Sequence, residues 1–181
     1  KELALSPELE IIDHYAFSNC ISLEKVEMPA NLTSIKSEVF AGCRKLREIY
    51  LNENLKNIGS NAFKGCHALN ILTIPMSVNN ISSNALDSCQ KLRYITLGGP
   101  EILNLGSNFA AQSPIESIML RGNVNAKFSH LKTLDSVYRT KYCNTYYPYQ
   151  FANCPDLSNV NFYNIKSIGQ AAFYNCTALD A

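Results

Sequence analysis

The segment "NAFKGC", residues 61–66, recurs with small changes along the whole chain. Each copy holds an apolar residue, two small or polar residues and a cysteine, as in "YAFSNC" 15–20, "EVFAGC" 38–43, "NALDSC" 84–89, "YQFANC" 149–154 and "AAFYNC" 171–176. The cysteines of the first four copies are evenly spaced, and the last two copies keep nearly the same spacing. A constant period of about 23 residues is typical of a solenoid, in which each repeat forms one turn of a coil.

Two further apolar motifs fill the rest of each period. The first is L-x-x-I-x-L, as in "LREIYL" 46–51 and "LRYITL" 92–97, and the second is L-x-x-I, as in "LKNI" 55–58. The apolar and polar alternation at the end of the first motif predicts a short strand with one buried face. Because no single turn can bury its own leucines, we expect equivalent strands of successive turns to stack as a parallel sheet.

The cysteine segment is expected on the opposite, convex side of the coil. Ser37, Ser60 and Ser83 share one repeat position and can cap a short helical or 3₁₀ turn there. An internal spine is expected from Phe17, Phe40, Phe63, Leu86, Phe151 and Phe173. The sequence therefore predicts an α/β solenoid: a right-handed leucine-rich-repeat coil with a short-stranded parallel sheet and a convex side of 3₁₀ turns or loops.

The seven cysteines are interpreted as small buried filler and not as a metal site. A zinc site needs two ligands within a few residues of each other, and the chain has no such close pair of cysteines. A cysteine at one position of each repeat behaves instead as a small apolar residue with a weak donor. We therefore predict no metal and no cofactor.

The combined unit, L-x-x-I-x-L-P-x-x-L-x-x-I-G-x-x-A-F-x-x-C, resembles the BspA-type (Treponema pallidum-type) leucine-rich repeat. The stretch "LNENLKNIGSNAFKGCHALNILTIP", 51–75, contains nearly all of it, and the match covers 1–120 and 149–181. The resemblance implies a bacterial cell-surface or secreted protein that attaches to a protein ligand, such as a host matrix or cell-surface protein. Similar repeats occur in proteins of some protozoan parasites.

The domain organisation follows from the same repeat. We expect residues 1–181 to form a single leucine-rich-repeat domain of about eight turns, counting incomplete end turns, with an irregular region at 121–150. The chain begins and ends within the pattern, so we expect a fragment of a longer protein from which an export signal has been removed.

The irregular region is shorter than the regular spacing requires, because Leu120 and Phe162 are closer together in the sequence than two full periods. The segment "FSHLKTLDSVY", 128–138, is interpreted as a shortened turn. The segment "VYRTKYCNTYYPYQF", 137–151, is interpreted as a loop insertion, since solenoids accept insertions in loops.

This second segment holds the five tyrosines Tyr138, Tyr142, Tyr146, Tyr147 and Tyr149. One interpretation is a recognition loop, because tyrosine provides a large amphipathic contact area at a low entropic cost. The other is aromatic packing over an irregular turn, and extensive burial of the rings would favour it. Cys143 lies off the cysteine series, and it either pairs with Cys154 or remains a free thiol.

The concave sheet face is the second candidate binding surface. Strand alternation points one set of side chains to solvent, and among them the sequence singles out Tyr50, Ile71, Thr73, Tyr94, Thr96 and Met119. An exposed apolar and aromatic stripe suits protein binding, although tyrosine and threonine are also good strand formers. A non-enzymatic binding module and a structural spacer that presents another domain are therefore the two hypotheses.

Composition and motifs argue against other classes of function. A net charge of +1 offers no basic surface for nucleic acid, and no apolar run is long enough to span a membrane. His14, His67 and His130 fall at different repeat positions, and no motif of a hydrolase, zinc protease or phosphate-binding loop is present. We therefore predict that the protein is not an enzyme.

Overall fold

The computed structural model describes residues 1–99 and 103–179, and in this part the chain runs through short strands joined by turns. The strands are β1 (Glu2–Leu3), β2 (Lys25–Glu27), β3 (Ser34–Ile35), β4 (Glu48–Tyr50), β5 (Asn57–Ile58), β6 (Ile71–Thr73), β7 (Asn80–Ile81), β8 (Tyr94–Leu97), β9 (Asn104–Leu105), β10 (Ser117–Leu120), β11 (Ser136–Arg139), β12 (Thr145–Tyr146), β13 (Asn159–Val160) and β14 (Ser167–Ile168).

Parallel pairing of equivalent strands confirms the solenoid. The first ladder comprises β1, β2 and β4 in one sheet and β6, β8, β10, β11 and β13 in another, and it delimits seven complete turns. The second ladder comprises β3, β5, β7 and β9, with a separate pair of β12 and β14. The register places repeat-equivalent residues side by side, such as Val26 with Ile49 and Leu72 with Ile95. Successive turns therefore share one apolar interior.

The remaining side of the coil contains turns and no helix, so the structure does not support the α/β label or the expected 3₁₀ turns. No α-helical or 3₁₀ residue occurs within 1–99 or 103–179. Asn61 and Gly65 have φ values of 55° and 72°, in the left-handed region that interrupts a helix. Moreover, Phe63 N–H donates to Ala85 O of the next turn at 2.8 Å. A helix cannot form, because alternate amides bond to the neighbouring turn.

The aromatic spine and the cysteine filler are both present in the core. The rings of Phe40 and Phe63 stack with centroids 5.7 Å apart and an interplanar angle of 2°. The Cys66 thiol donates to Phe40 O of the preceding turn at 3.3 Å, and Cys89 repeats this bond with Phe63 O at 3.2 Å. Burial raises the pKa of Cys89 to about 12, so this thiol stays protonated. The buried cysteines thus pack as neutral core residues.

All seven cysteines are free thiols, which settles the alternatives left open for Cys143. Cys143 and Cys154 are both buried and unpaired, and Cys20 alone is exposed. Burial raises the pKa of Cys143 and raises that of Cys154 to about 12.

The shortened turn precedes the tyrosine-rich segment, which is itself a regular turn. The register steps from Ser117 to Ser136 between β10 and β11, and this step is shorter than the regular one from Ser136 to Asn159 between β11 and β13. The shortening relative to the regular period therefore lies entirely between β10 and β11. The interpretation of 137–151 as a loop insertion is wrong, because this segment supplies strands β11 and β12 and the turn that follows them.

The first ladder is interrupted once, between β4 and β6. These strands are repeat equivalents, yet they belong to different sheets, while β5 and β7 of the same two turns pair normally in the second ladder. The two turns are thus joined on one side of the coil and separated on the other.

Candidate binding surface

The sheet face consists of the solvent-directed side chains of the first ladder, arranged in two columns. The first column contains Lys25, Glu48, Ile71, Tyr94, Ser117, Ser136 and Asn159, of which Ser136 is buried, and the second contains Glu27, Tyr50, Thr73, Thr96, Met119 and Tyr138. Paired neighbours within a column lie on adjacent parallel strands, which are about 4.8 Å apart. Side chains from distant parts of the sequence therefore form one face, which is continuous within each sheet and interrupted between β4 and β6.

Five large residues of this face are exposed, and we call them the apolar stripe. The exposed fractions are 53% for Tyr50, 56% for Ile71, 49% for Tyr94, 37% for Met119 and 51% for Tyr138. The inward residues of the same strands are buried at β6, β8, β10 and β11, so the backbone beneath the stripe is held by the core. Thr73 is exposed and Thr96 half-buried beside the stripe.

Tyr138 is the member of the stripe that sequence reasoning assigned to a different surface. In the structure it lies in β11 and pairs directly with Met119 of β10. The available signal was "LDSVYR", 134–139, which fits the first two apolar positions of the strand motif with Leu134 and Val137, both buried, and has Arg139 at the third. The shortened turn before β11 concealed this match, because it moved the motif away from the position that the regular period predicts.

The other tyrosines of the 137–151 segment do not form one surface. Tyr146 is completely buried and donates its hydroxyl to Asn161 O at 2.8 Å, and burial raises its pKa to about 12. Tyr147 is half-buried, and its N–H donates to the Gln150 side chain. Tyr142 and Tyr149 are exposed, and their rings contact the lysines Lys141 and Lys127, respectively. The tyrosines of this segment therefore divide between buried and exposed positions.

Charged residues occupy the end of the sheet face that is formed by β2 and β4. Lys25 Nζ lies 3.0 Å from Glu2 and 5.8 Å from the centre of the Tyr50 ring. The hydrogen bond from Lys25 to Glu2 raises the pKa of this lysine. Tyr50 in turn directs its hydroxyl to Glu48 at 3.4 Å. Polar contacts thus hold the Tyr50 side chain at the boundary between the charged end and the apolar stripe.

The histidines occupy unrelated environments. His130 packs edge-on against the Phe109 ring with centroids 5.4 Å apart, and burial lowers its pKa. His14 is exposed near Tyr15, and His67 is half-buried. Within 1–99 and 103–179, no group of three or more histidine, cysteine or acidic residues is placed to hold a metal ion. The same residues include no helix with the length and apolar character required to cross a membrane.

Comparisons with known proteins agree with this architecture. Among solved structures, the Treponema pallidum leucine-rich repeat protein has a TM-score of 0.63 at 23% identity, with 99% of this chain and 78% of that chain covered. The pneumococcal vaccine antigen PcpA has a TM-score of 0.65 at 23% identity, over 77% of this chain and 36% of that one. At these identities the likeness concerns the fold alone.

A search of curated proteins found no match. The family model for the BspA type leucine rich repeat region matches residues 10–127 and 124–181 with six copies of the repeat. This match extends over almost the whole sequence, and its repeat agrees with the observed ladders. The chain therefore belongs to the BspA-type leucine-rich repeat family.

Proposed function

We propose that this protein is a non-enzymatic binding module that contacts a protein partner through the sheet face. The observation that carries the proposal is the apolar stripe, in which five large side chains are exposed on one face. Ile71, Tyr94, Met119 and Tyr138 lie on the paired strands β6, β8, β10 and β11, and Tyr50 lies on β4 across the break in the ladder. Tyrosine and methionine are enriched at the centre of protein interfaces, and tyrosine buries a large area with only two side-chain torsions to lose. A face held by buried inward residues also has little conformational entropy left to lose on binding.

The proposed location is the cell surface or the extracellular space, with a host matrix or cell-surface protein as the partner. Family membership supports this proposal, and so does the shared fold of a pneumococcal vaccine antigen. Fold alone does not determine function, so the stripe and not the likeness carries the argument for binding.

A spacer that only presents another domain is the competing function. A spacer needs a stable coil and a soluble surface, and it has no need of aromatic side chains exposed on its sheet. Tyr94 and Tyr138 are each about half exposed, in line with a contact surface. Threonine or lysine at these positions would serve a spacer equally well while keeping strand pairing intact.

The test compares two double variants against a panel of purified matrix proteins, including fibronectin, laminin and collagen, by biolayer interferometry. Tyr94→Ala with Tyr138→Ala removes two rings from the stripe. Tyr15→Ala with Tyr174→Ala is the matched control, because these tyrosines are 59% and 65% exposed on the turn side of the coil. Urea unfolding of all three proteins confirms equal stability.

We expect the stripe variant to bind at least about 30-fold more weakly, corresponding to a loss of about 2 kcal/mol at a hot spot. The control should bind within about twofold of the parent protein. Equal loss in both variants, or binding unaffected by removal of the stripe tyrosines, would contradict the proposal. Failure of the parent protein to bind any member of the panel would contradict a matrix partner.

A further inference from the structure

We propose that the gap between β4 and β6 accepts an extended peptide strand of the protein partner, which adds itself to the sheet at this point. The gap lies within the sheet face and is flanked by Tyr50 and Ile71 of the apolar stripe. This inference deepens the proposed function and rests on it, because it specifies how the partner is bound.

The first observation is a missing backbone hydrogen bond after the strands. Met28 N–H donates to Tyr50 O at 2.8 Å, and Ile74 N–H donates to Thr96 O at 3.1 Å. Leu51 occupies the same repeat position between these two donors. Its N–H donates to no atom of the described residues. The bond that closes the neighbouring junctions is therefore absent here.

The second observation is a missing backbone hydrogen bond at the residue that precedes the strand. Arg47 N–H donates to Glu24 O at 3.0 Å, and Arg93 N–H donates to Asn70 O at 2.9 Å. Asn70 is the repeat equivalent of both donors, yet its own N–H contacts no acceptor in the described part of the chain. An unpaired donor therefore lies on each side of the gap, the Leu51 N–H on one and the Asn70 N–H on the other.

Burial of the inward side chains shows that the separation reaches the core. Val26 of β2 and Leu72 of β6 are 0% and 1% exposed, whereas Ile49 between them is only half-buried. The resulting groove has a volume of about 420 Å³, and both Ile49 and Leu51 line it. An occupant would therefore cover apolar surface as well as backbone groups.

The opening is limited to the sheet side of the coil. Asn57 and Asn80 pair in the second ladder across the same two turns. On the turn side, Gly65 N–H donates to Asp87 O at 2.9 Å, and the Lys64 ammonium lies 3.3 Å from the Asp87 carboxylate. These contacts anchor the turns, so an occupant can enter and leave without unfolding the coil.

An extended main chain is the occupant that fits these groups. Unpaired strand edges present N–H and C=O groups in alternation, and a peptide strand supplies the complementary set. Glu48 and Glu53 contribute carboxylates to the groove, and Glu53 forms no ion pair with any described residue. Arg47 also lines the groove and lies 3.2 Å from Glu24 and 3.7 Å from Glu48, so Glu53 is the groove carboxylate without an ion pair among the described residues. The groove therefore favours a peptide with a basic side chain.

Amide hydrogen exchange of the ¹⁵N-labelled protein, measured by NMR, tests the gap directly. In the free protein, the Leu51 and Asn70 amides should exchange at least about tenfold faster than those of Met28 and Arg93, a difference of about 1.4 kcal/mol. The probe is a short blocked peptide that alternates valine and threonine around a central lysine. It should slow exchange at Leu51 and Asn70 by at least about tenfold.

The control peptide has the same side chains with every backbone amide N-methylated, which removes the donors of both edges. It should give no protection, because pairing requires main-chain hydrogen bonds. Three results would each overturn the inference: slow exchange at Leu51 and Asn70 in the free protein, no protection by the probe, or equal protection by both peptides. Protection that appears with rising protein concentration and no peptide would overturn it too, by assigning the gap to a second copy of the chain. Each of these leaves the Tyr94 and Tyr138 binding test unaffected.

Discussion

Replacement of Phe63 by alanine tests whether successive turns share a continuous interior. Phe63 is completely buried, and its ring stacks on Phe40, which in turn stacks on Phe17 at 5.6 Å. Removing this ring leaves a cavity between anchored turns, so we expect a loss of about 3–5 kcal/mol. The stacking itself contributes about 1 kcal/mol of that loss. A loss of this size is a large fraction of the roughly 5–15 kcal/mol that stabilises a typical domain.

The matched control is Phe63→Leu, because the next turn has Leu86 at the same repeat position, 1% exposed. We expect this variant to lose at most about 1.5 kcal/mol. Urea unfolding is followed by circular dichroism and by tyrosine fluorescence, since the chain has ten tyrosines and no tryptophan. Both probes are needed because repeat arrays can unfold in parts. An alanine variant that loses less than about 1 kcal/mol, or a leucine variant that is equally damaged, would refute the shared interior.

Three further predictions concern the buried polar and thiol groups. At about pH 8 a maleimide should rapidly modify Cys20 alone, because the other thiols are buried, and a second fast adduct in the mass spectrum would contradict this. Ser113 Oγ accepts from Cys89 N–H at 2.8 Å and donates to Leu86 O at 2.5 Å. Ser113→Ala should therefore lower the free energy of unfolding in urea by about 1–3 kcal/mol, and Ser113→Cys should lower it less. Burial raises the pKa of Cys89 to about 12, while the thiol in the unfolded chain has a pKa of about 8.5. The contribution of this neutral thiol to folding stability is therefore fully present below about pH 8.5 and is lost as the pH rises toward about 12. Cys89→Ala should reduce this alkaline loss by up to about 1.4 kcal/mol per pH unit, and identical pH slopes in both proteins would disprove the assignment.

The periodic part of the fold could be predicted from the sequence because the same motif recurs many times, and each copy predicts the same local structure. The constant spacing of the motifs predicted parallel strands, and the ladders confirm them with Val26 beside Ile49 and Leu72 beside Ile95. The cysteine spacing likewise indicated small buried residues that fill the core. The free thiol of Cys66, bonded to the carbonyl of Phe40, shows the same arrangement.

Positions that depart from the repeat were harder to interpret. Ser113 occupies the place of a cysteine in its turn, with its hydroxyl bonded to Leu86 O as the thiols bond to phenylalanine carbonyls. Sequence reasoning missed it, because Ser113 lies just beyond the regular period after Cys89 and has a different side chain. The shortened turn changed the spacing of the tyrosine-rich segment in the sequence. Sequence reasoning therefore did not place Tyr138 beside Met119, its partner on the sheet face.

The sequence by itself determined which residues face the interior, because the apolar period dictates what a stacked coil must bury. Only the tertiary structure decided how the turn side bonds, since left-handed residues such as Asn61 allow alternate amides to reach the next turn. It alone decided that Tyr138 joins the sheet face and that β4 and β6 separate. These features depend on contacts between turns, and a one-dimensional period assigns the same contacts to every pair of neighbours.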